Sequence, residues 1–268
     1  MKRHVPRLEV IERGQLSSEH PHPLLLVHGA FHGAWCWNAH FVDFFATRGF
    51  HVVAPSLRGH GSSQRDGPLR LRSIADFVAD VAQIANSLAR EPILVGHSMG
   101  GFIVQKYLES HSAPAGVLLA SAPPRGHLRT LLRSLRQHPW CSVKFGITGR
   151  PEHLSGSVAG ARELFFGPQT SADLVGAITA RLQPESTRAL LFDMVAHGLV
   201  KTSRISTPML VLGGAHDALY PESDIVATAA AYGTHATVIA DIGHEMMLEP
   251  PWAIGADHIH RWLAQRGL

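Results

Sequence analysis

The sequence predicts an α/β fold in which a mostly parallel central sheet is flanked by helices. From residue 23 to residue 123, short apolar runs of strand length alternate with segments of helical periodicity, an order typical of parallel sheets covered on both faces. Between residues 125 and 205 the pattern is helical throughout, and the alternation then resumes. We therefore expect a core in two parts, residues 1–124 and 206–268, interrupted by a helical cap insertion at 125–205.

Periodicity and glycine positions define the individual elements. The segment Ile74–Leu88 places apolar side chains on one helical face, and the helix Trp35–Arg48 ends at Gly49, which suits a left-handed C-terminal cap. Before the insertion, the other expected elements are the helix Met99–His111 and the strands Leu24–His28, His51–Pro55, Ile93–Gly96 and Gly116–Ser121. After it, they are the strands Met209–Gly213 and Ala236–Ala240 and the helices Glu222–Tyr232 and Pro251–Arg266. Within the insertion we expect helices near 127–138, 171–182 and 185–197.

Composition restricts the class of protein. Of 268 residues, 45% are hydrophobic and 17% charged, which is typical of a globular enzyme. No apolar run approaches the roughly 20 residues that span a bilayer, and no apolar segment of a secretory signal follows the basic N-terminus. Two cysteines, Cys36 and Cys141, imply no disulfide framework. We therefore expect a cytoplasmic protein.

Charge and histidine placement restrict the partners. The formal charge is +3, but the arginines are scattered rather than clustered, which gives little support to nucleic-acid binding. The pairs His20/His22 and His258/His260 lie two apart, a spacing that does not place both imidazoles on one helix face, so no metal site is expected. The expected partner is a small molecule, without nucleic acid or membrane, and the expected state is a monomer or homodimer.

The strand Ile93–Gly96 runs directly into G-H-S-M-G at residues 96–100 and then into a helix. This is the G-x-S-x-G pattern in the strand–turn–helix context that it requires. A tight turn exposes the hydroxyl of Ser98, and the N-terminus of the following helix directs its dipole at developing negative charge. We predict Ser98 as a nucleophile.

A serine hydroxyl needs a base, and the base needs an orienting partner. Asp217 follows the strand Met209–Gly213, and His244 follows the next strand, so both are expected at the sheet edge that carries Ser98. We predict Asp217 as the acid and His244 as the base. The competing acids are Asp241, which could cap a turn, and the helical Asp224 and Asp193.

The loop after the strand Leu24–Val27 is expected to supply part of an oxyanion hole. Acyl transfer needs two N–H donors aimed at the developing oxyanion. One is predicted to be the Met99 amide; the other is the Ala30 amide, with Phe31 as second choice. His28 is interpreted as a brace for the loop. The predicted substrate contacts are His32, Phe31 and Met246.

Taken together, the motifs of this sequence resemble those of a known family. H-G-A (28–30), R-G-H-G-S-S (58–63), G-H-S-M-G-G (96–101), H-D (216–217) and G-H (243–244) are similar to the α/β-hydrolase superfamily. The stretch H-G-A-F-H-G-A-W-C-W is most similar to the branch of plant methylesterases and hydroxynitrile lyases. Lyases of that branch carry threonine after the first histidine and lysine after the catalytic one. Gly29 and Glu245 stand there, so the resemblance implies the esterase side. Ser56 replaces the aspartate that is common in the superfamily, which puts loop bracing in doubt.

The sequence therefore predicts a carboxylesterase, with lactones included, that works through an acyl-enzyme and needs no metal or organic cofactor. Apolar residues of the insertion suit an uncharged acyl or alkyl group, although they could equally form the insertion's own core. Alternatives on the same scaffold are a carbon–carbon bond hydrolase, a lyase and a thioesterase. From another class, the alternative is a ligand receptor without turnover.

Overall fold

The computed structural model describes residues 5–268. Its sheet has seven strands in the order β1-β3-β2-β4-β5-β6-β7. The strands are β1 Val10–Arg13, β2 Leu24–Val27, β3 Val52–Pro55, β4 Ile93–His97, β5 Gly116–Leu119, β6 Met209–Gly214 and β7 Ala236–Ile239. Only the edge strand β1 is antiparallel to its neighbour, β3, and the other pairs are parallel. The parallel strands therefore end at one common edge of the sheet, where ligands of such folds bind.

Eleven α-helices lie within the described residues. They are α1 Trp35–Asn38, α2 Phe41–Ala46, α3 Ile74–Ser87, α4 Met99–Leu108, α5 Leu128–Gln137, α6 Pro139–Thr148, α7 Pro151–Ser155, α8 Val158–Phe165, α9 Ala172–Thr179, α10 Glu222–Ala231 and α11 Trp252–Ala264. Short 3₁₀ turns occur at Leu69–Leu71 and Thr202–Arg204, and a π-helix occurs at Ala189–His197. None of the helices in residues 5–268 is long and apolar enough to cross a membrane.

The hydrophobic core is divided between the two faces of the sheet. Because side chains alternate along a strand, Leu24 and Leu26 of β2 pack on one face and Leu25 and Val27 on the other. All four are fully buried. Strands that are apolar on both faces are the pattern expected when helices cover a parallel sheet from both sides.

Outside residues 125–205, one strand and one helix differ from the sequence-based expectation. The strand β1 was not predicted, since an exposed edge strand of mixed polarity has no apolar alternation to identify it. The single helix expected at Trp35–Arg48 is divided into α1 and α2, because His40 adopts a non-helical conformation. In contrast, α3 begins at the predicted residue, where a reciprocal pair of hydrogen bonds between Ser73 and Asp76 caps it.

The segment between β5 and β6, residues 125–205, is helical and is called the helical segment below. It carries α5 to α9 and the π-helix, of which α6, α7 and α8 were not predicted individually. Backbone hydrogen bonds join it to the core: the N–H of Gln183 donates to the Phe31 carbonyl, and the N–H of His244 donates to the Phe165 carbonyl. The helical segment therefore packs against the loops at the carboxyl ends of the strands.

Candidate active site

Ser98 lies on a strained turn between β4 and α4. Its φ of 52° and ψ of −119° are unfavourable for an L-residue with a side chain. The Ser98 N–H donates to the Leu119 carbonyl at 3.1 Å, which fastens the turn to β5. A Cβ on Gly100 would clash with the Val27 carbonyl oxygen, so only glycine allows α4 to approach β2 so closely. The turn aims the Ser98 side chain into a cavity.

Asp217 and His244 form a buried pair beside this turn. The Nδ1 of His244 lies 2.8 Å from Oδ2 of Asp217. The other carboxylate oxygen of Asp217 accepts the backbone N–H groups of Leu219 and Tyr220 at 2.8 and 2.9 Å. The carboxylate is thereby held in one orientation, which in turn orients the imidazole.

Opposing effects act on the pKa of His244. Burial lowers it, but the charge of Asp217 and the hydrogen bond to it raise it more, so that the pKa lies above the usual 6.5. Because Nδ1 donates to Asp217, Nε2 is the nitrogen that accepts a proton in the neutral ring. The arrangement suits a base whose basicity is increased by a fixed anion.

The hydroxyl of Ser98 and the imidazole of His244 open into the same cavity. His97, the residue before the serine, donates from Nε2 to the His244 backbone carbonyl at 2.8 Å, and so ties the two loops together. Within the described residues no direct hydrogen bond joins the two side chains; the Ser98 hydroxyl instead lies beside the Tyr220 phenol.

Tyr220 is a site residue that sequence reasoning missed. Its hydroxyl lies 3.2 Å from Nδ1 of His127, and Nε2 of His127 lies 2.6 Å from the Leu190 carbonyl. A carbonyl only accepts, so Nε2 carries the proton of the neutral ring, and burial lowers the pKa of His127. Nδ1 therefore accepts from Tyr220, whose pKa is raised by burial and by Asp217. The phenol presents its oxygen lone pairs, not its proton, to Ser98.

Two backbone amides beside Ser98 are free to donate into the cavity. Met99 is the first residue of α4, so its N–H has no partner inside the helix. The Ala30 amide donates to no acceptor in the described part of the chain. The Phe31 amide, the second choice from sequence, instead donates to the carboxylate of Glu185 at 3.3 Å. A Cβ on Gly29 would lie 2.7 Å from Nδ1 of His97, so this loop needs glycine to approach the serine turn.

Two side chains of the helical segment, Gln183 and Glu185, hold the loop that carries Phe31 and the loop that carries His60. The carboxylate of Glu185 lies 3.0 Å from Nε2 of His60, and both side chains are fully buried. Gln183 accepts the Gly61 N–H at 2.7 Å and donates its own N–H to the Phe31 carbonyl at 2.8 Å. The R-G-H-G loop is therefore held by Gln183 and Glu185, neither of which was predicted from the sequence.

The histidines of the first loop have different surroundings. His28 donates from Nδ1 to the Gly29 carbonyl and accepts the Leu57 N–H at Nε2, so it braces the loop, as expected. His32 donates from Nδ1 to the Ala30 carbonyl at 2.7 Å, and its Nε2 lies 3.1 Å from Glu245. Burial would raise the pKa of Glu245, but His32 and the neighbouring histidines lower it to about 2.

Glu249 fastens the His244 loop to the helical segment. One of its carboxylate oxygens accepts the Gly243 N–H at 2.9 Å, and the other accepts the Gly167 N–H at 2.6 Å and the Thr170 hydroxyl at 2.9 Å. Burial raises the pKa of Glu249 to about 7, against the lowering effect of these hydrogen bonds. Residues far apart in sequence therefore hold the loop that carries His244.

A cavity of about 480 Å³ connects these groups. Its floor includes Ser98, His244, Ala30, Met99 and the predicted contacts Phe31 and His32. The helical segment supplies most of its apolar wall, with Leu131, Phe145, Leu154, Leu164, Phe165 and Leu190.

Met246 is the exception among the predicted site residues. Its side chain is 1% exposed and packs in the core cluster with Met247 and Leu248 rather than in the cavity wall. The chain turns directly after His244, which directs Met246 inward. The expected substrate contact at Met246 is therefore corrected. Two of the competing acids are used elsewhere: Asp193 accepts the Ile74 N–H, and Asp224 pairs with Arg125.

Comparison with known proteins gives a consistent picture. Residues 24–256 match the sequence pattern of the Alpha/beta hydrolase family. Methylesterase 4 of Arabidopsis thaliana is 31% identical over 139 residues, which cover 48% of this chain and 52% of that protein. The chain spans between about a third and just over half of the length of the first curated relatives it matches.

Two solved structures share the fold over almost the whole chain. A thermophilic esterase from Thermogutta terrifontis superposes with a TM-score of 0.75 at 22% identity, covering 97% of this chain and 94% of that one. A putative non-heme bromoperoxidase from Mycobacterium tuberculosis H37Rv superposes with a TM-score of 0.79 at 20% identity, covering 99% and 98%. At these identities the superpositions establish the fold alone.

Proposed function

Because the chain belongs to the alpha/beta hydrolase family, we propose that it is a serine esterase in which Ser98, His244 and Asp217 act as nucleophile, base and orienting acid. The esterase-like relationship expected from the motifs is confirmed by the methylesterase relatives. To this relationship the proposal adds the roles of Ser98, His244 and Asp217 and the specificity for esters.

The observation that carries the proposal is the Asp217–His244 pair, at 2.8 Å, opening into the same cavity as a serine on a strained turn. In the proposed mechanism Nε2 of His244 takes the Ser98 proton as the oxygen attacks the ester carbonyl. Asp217 stabilises the imidazolium that forms. The alcohol leaves with the proton from His244, and water then repeats the sequence on the acyl-enzyme.

The Met99 and Ala30 amides are proposed to hold the oxyanion. Losing one such donor typically costs about 2.7–4 kcal/mol of the barrier. The structure favours Ala30 over Phe31, because the Phe31 amide is already engaged by Glu185. His28, which donates to the Gly29 carbonyl, is proposed to orient the Gly29–Ala30 peptide that carries this N–H, and His32, bonded to the Ala30 carbonyl, is proposed to fix the next peptide.

The cavity supports an uncharged substrate of small to medium size. Its volume of about 480 Å³ and its apolar wall from the helical segment suit an acyl or alkyl group. The proposed substrates are therefore carboxylic esters and, as a close variant of the same acyl chemistry, lactones. Residues 125–205 are proposed to act as a cap that determines which of them fits.

Hydrolysis of p-nitrophenyl esters of graded chain length by the wild type and by Ser98→Ala tests the proposal. We expect the wild type to turn over these esters and Ser98→Ala to lose at least about 10³-fold in kcat. A Ser112→Ala variant, at an exposed serine remote from the cavity, is the matched control and is expected to retain full activity. Equal rates for Ser98→Ala and the control would reject the proposal.

A lyase or carbon–carbon hydrolase is less well supported. Glu245, directly after His244, lies 3.1 Å from Nε2 of His32. Because its pKa is lowered to about 2, Glu245 places a negative charge where the resembling lyases carry lysine. Turnover of a cyanohydrin or a vinylogous diketone with poor ester hydrolysis would favour that alternative, and rapid turnover of thioesters would favour a thioesterase. Tight ligand binding without product release would favour a receptor.

A further inference from the structure

The outer side of α5 and α6 is the most exposed apolar region of the described chain. On α5, Leu128, Leu132 and Leu135 recur at helical spacing and are 46%, 56% and 47% exposed. On α6, Trp140 and Ile147 are 78% and 70% exposed. The remaining exposed apolar residue of this surface is Val143. Exposed apolar patches of this kind mark interaction sites.

The same surface is basic. Between Arg125 and Pro151 the chain has five arginines and one lysine and no aspartate or glutamate. Arg125 pairs with Asp224, and Arg133 donates to the Ala218 and Leu219 carbonyls. Arg129, Arg136 and Lys144 are exposed and form no ion pair within residues 5–268. These three cations alternate with the apolar side chains.

The two helices form one unit. They are joined through His138, and Ser134 of α5 hydrogen-bonds Ser142 of α6 at 3.1 Å. The inner side of α5, which includes Leu131, Arg133 and Ser134, lines the cavity that contains Ser98. A single helix therefore separates the candidate active site from the exposed basic and apolar surface.

We propose that the outer side of α5 and α6 docks on an anionic lipid surface. Amphipathic helices with arginine or lysine on the polar side and leucine or tryptophan on the other lie in the membrane interface, where tryptophan is favoured.

A second copy of the chain is a poorer occupant of this surface, because a two-fold contact would bring like charges together. The sequence-based expectation of no membrane partner rested on the absence of a spanning segment, and docking on a surface needs none.

Docking of this surface on a lipid membrane would bring a membrane-bound ester close to the cavity that contains Ser98. An ester held at the lipid surface would lie on one side of α5 and Ser98 on the other. The proposal does not depend on the esterase assignment, since binding can be measured with Ser98→Ala as well as with the wild type.

Co-sedimentation with two kinds of vesicle tests the proposal: phosphatidylcholine alone, and phosphatidylcholine with about a third phosphatidylserine. We expect partition only to the anionic vesicles, decreasing steeply as added salt shortens the Debye length below about 10 Å. The double variant Arg129→Glu/Arg136→Glu should weaken partition at least about tenfold, and Trp140→Ala should weaken it further.

The matched controls are Arg90→Glu/Arg204→Glu and Val226→Ala. Arg90 and Arg204 are exposed and precede β4 and β6, at the opposite edge of the sheet; Val226 is 49% exposed on α10. The controls should bind as the wild type does, and all variants should retain its melting temperature. Equal partition to both kinds of vesicle would overturn the proposal, as would equal loss in the control variants. Concentration-dependent dimers that depend on Trp140, without vesicle binding, would overturn it in favour of a second copy.

Discussion

The carboxylate of Glu185 accepts the backbone N–H of Phe31 at 3.3 Å, although the two residues are 154 positions apart in sequence. Glu185 also pairs with the buried His60. One side chain of the helical segment therefore occupies the Phe31 amide, whereas the neighbouring Ala30 amide donates to no acceptor in the described part of the chain.

Replacing Glu185 by alanine is expected to lower both stability and activity. Removing one member of a buried ion pair costs about 3–5 kcal/mol of unfolding free energy, and releasing the Phe31 loop should reduce kcat about 10- to 100-fold through misplacement of the Ala30 donor. Urea denaturation and kcat of the folded protein measure the two effects. Glu152→Ala, in an exposed pair with Arg150, is the control and should change little. A kcat that declines only with the folded fraction would refute the positioning role.

The His60–Glu185 pair should make stability depend on pH. Burial lowers the pKa of His60, but Glu185 raises it more, so that the folded pKa exceeds the usual 6.5. The folded state therefore binds the proton more tightly than the unfolded state does, and the stabilisation is complete below pH 6.5 and lost as pH rises through the folded pKa. The difference in unfolding free energy between the wild type and His60→Gln, measured across this range, should shrink with rising pH. A difference that grows with pH would contradict the assignment.

The acid limb of the pH–rate profile for kcat/KM should report the protonation of His244. Its pKa is raised above 6.5 because Asp217 outweighs burial, and only the neutral imidazole accepts the Ser98 proton. The rise in kcat/KM with pH should therefore have its midpoint above 6.5. In Asp217→Asn the midpoint should move to lower pH and kcat should fall about 10⁴-fold. An unchanged midpoint in that variant would show that another group controls the limb.

The Tyr220–His127 hydrogen bond should be measurable as a coupling energy. Tyr220→Phe and His127→Leu each remove one partner and leave a buried polar group unsatisfied, which costs about 1–3 kcal/mol. The double variant should be less destabilised than the sum, with an interaction energy of about 0.5–3 kcal/mol. Chemical denaturation of the four proteins gives the value. Strict additivity would mean that the 3.2 Å contact contributes nothing to stability.

Narrowing the cavity at Leu131 should change the preference of the enzyme for the acyl chain length of its ester substrates. Leu131 lies on the inner side of α5 and lines the cavity, so Leu131→Trp should reduce kcat/KM for long p-nitrophenyl esters about tenfold or more while sparing the acetate. The exposed neighbour Leu132→Trp is the control. A uniform loss for short and long esters would indicate damage to the site rather than loss of space.

Local signals were sufficient for the fold class and for most strands. The seven-stranded, mostly parallel sheet and the membership of the hydrolase family agree with the alternation and the motifs. Apolar runs identify buried strands such as β4, because burial on both faces leaves only apolar residues there. The edge strand β1 gave no such signal, because its solvent-exposed side chains are not selected for burial.

For the candidate site, sequence determined which loops carry the chemistry-bearing residues, since the ends of successive parallel strands must share one edge of the sheet. It therefore placed Ser98, Asp217 and His244 together as a prediction. Only the tertiary structure decided that Glu185 engages the Phe31 amide, that Tyr220 and His127 stand beside Ser98, and that Met246 turns into the core. The reason is physical: periodicity and strand order are local properties of the chain. Which distant side chain meets a given backbone amide depends on how the helical segment packs, and no local pattern encodes that.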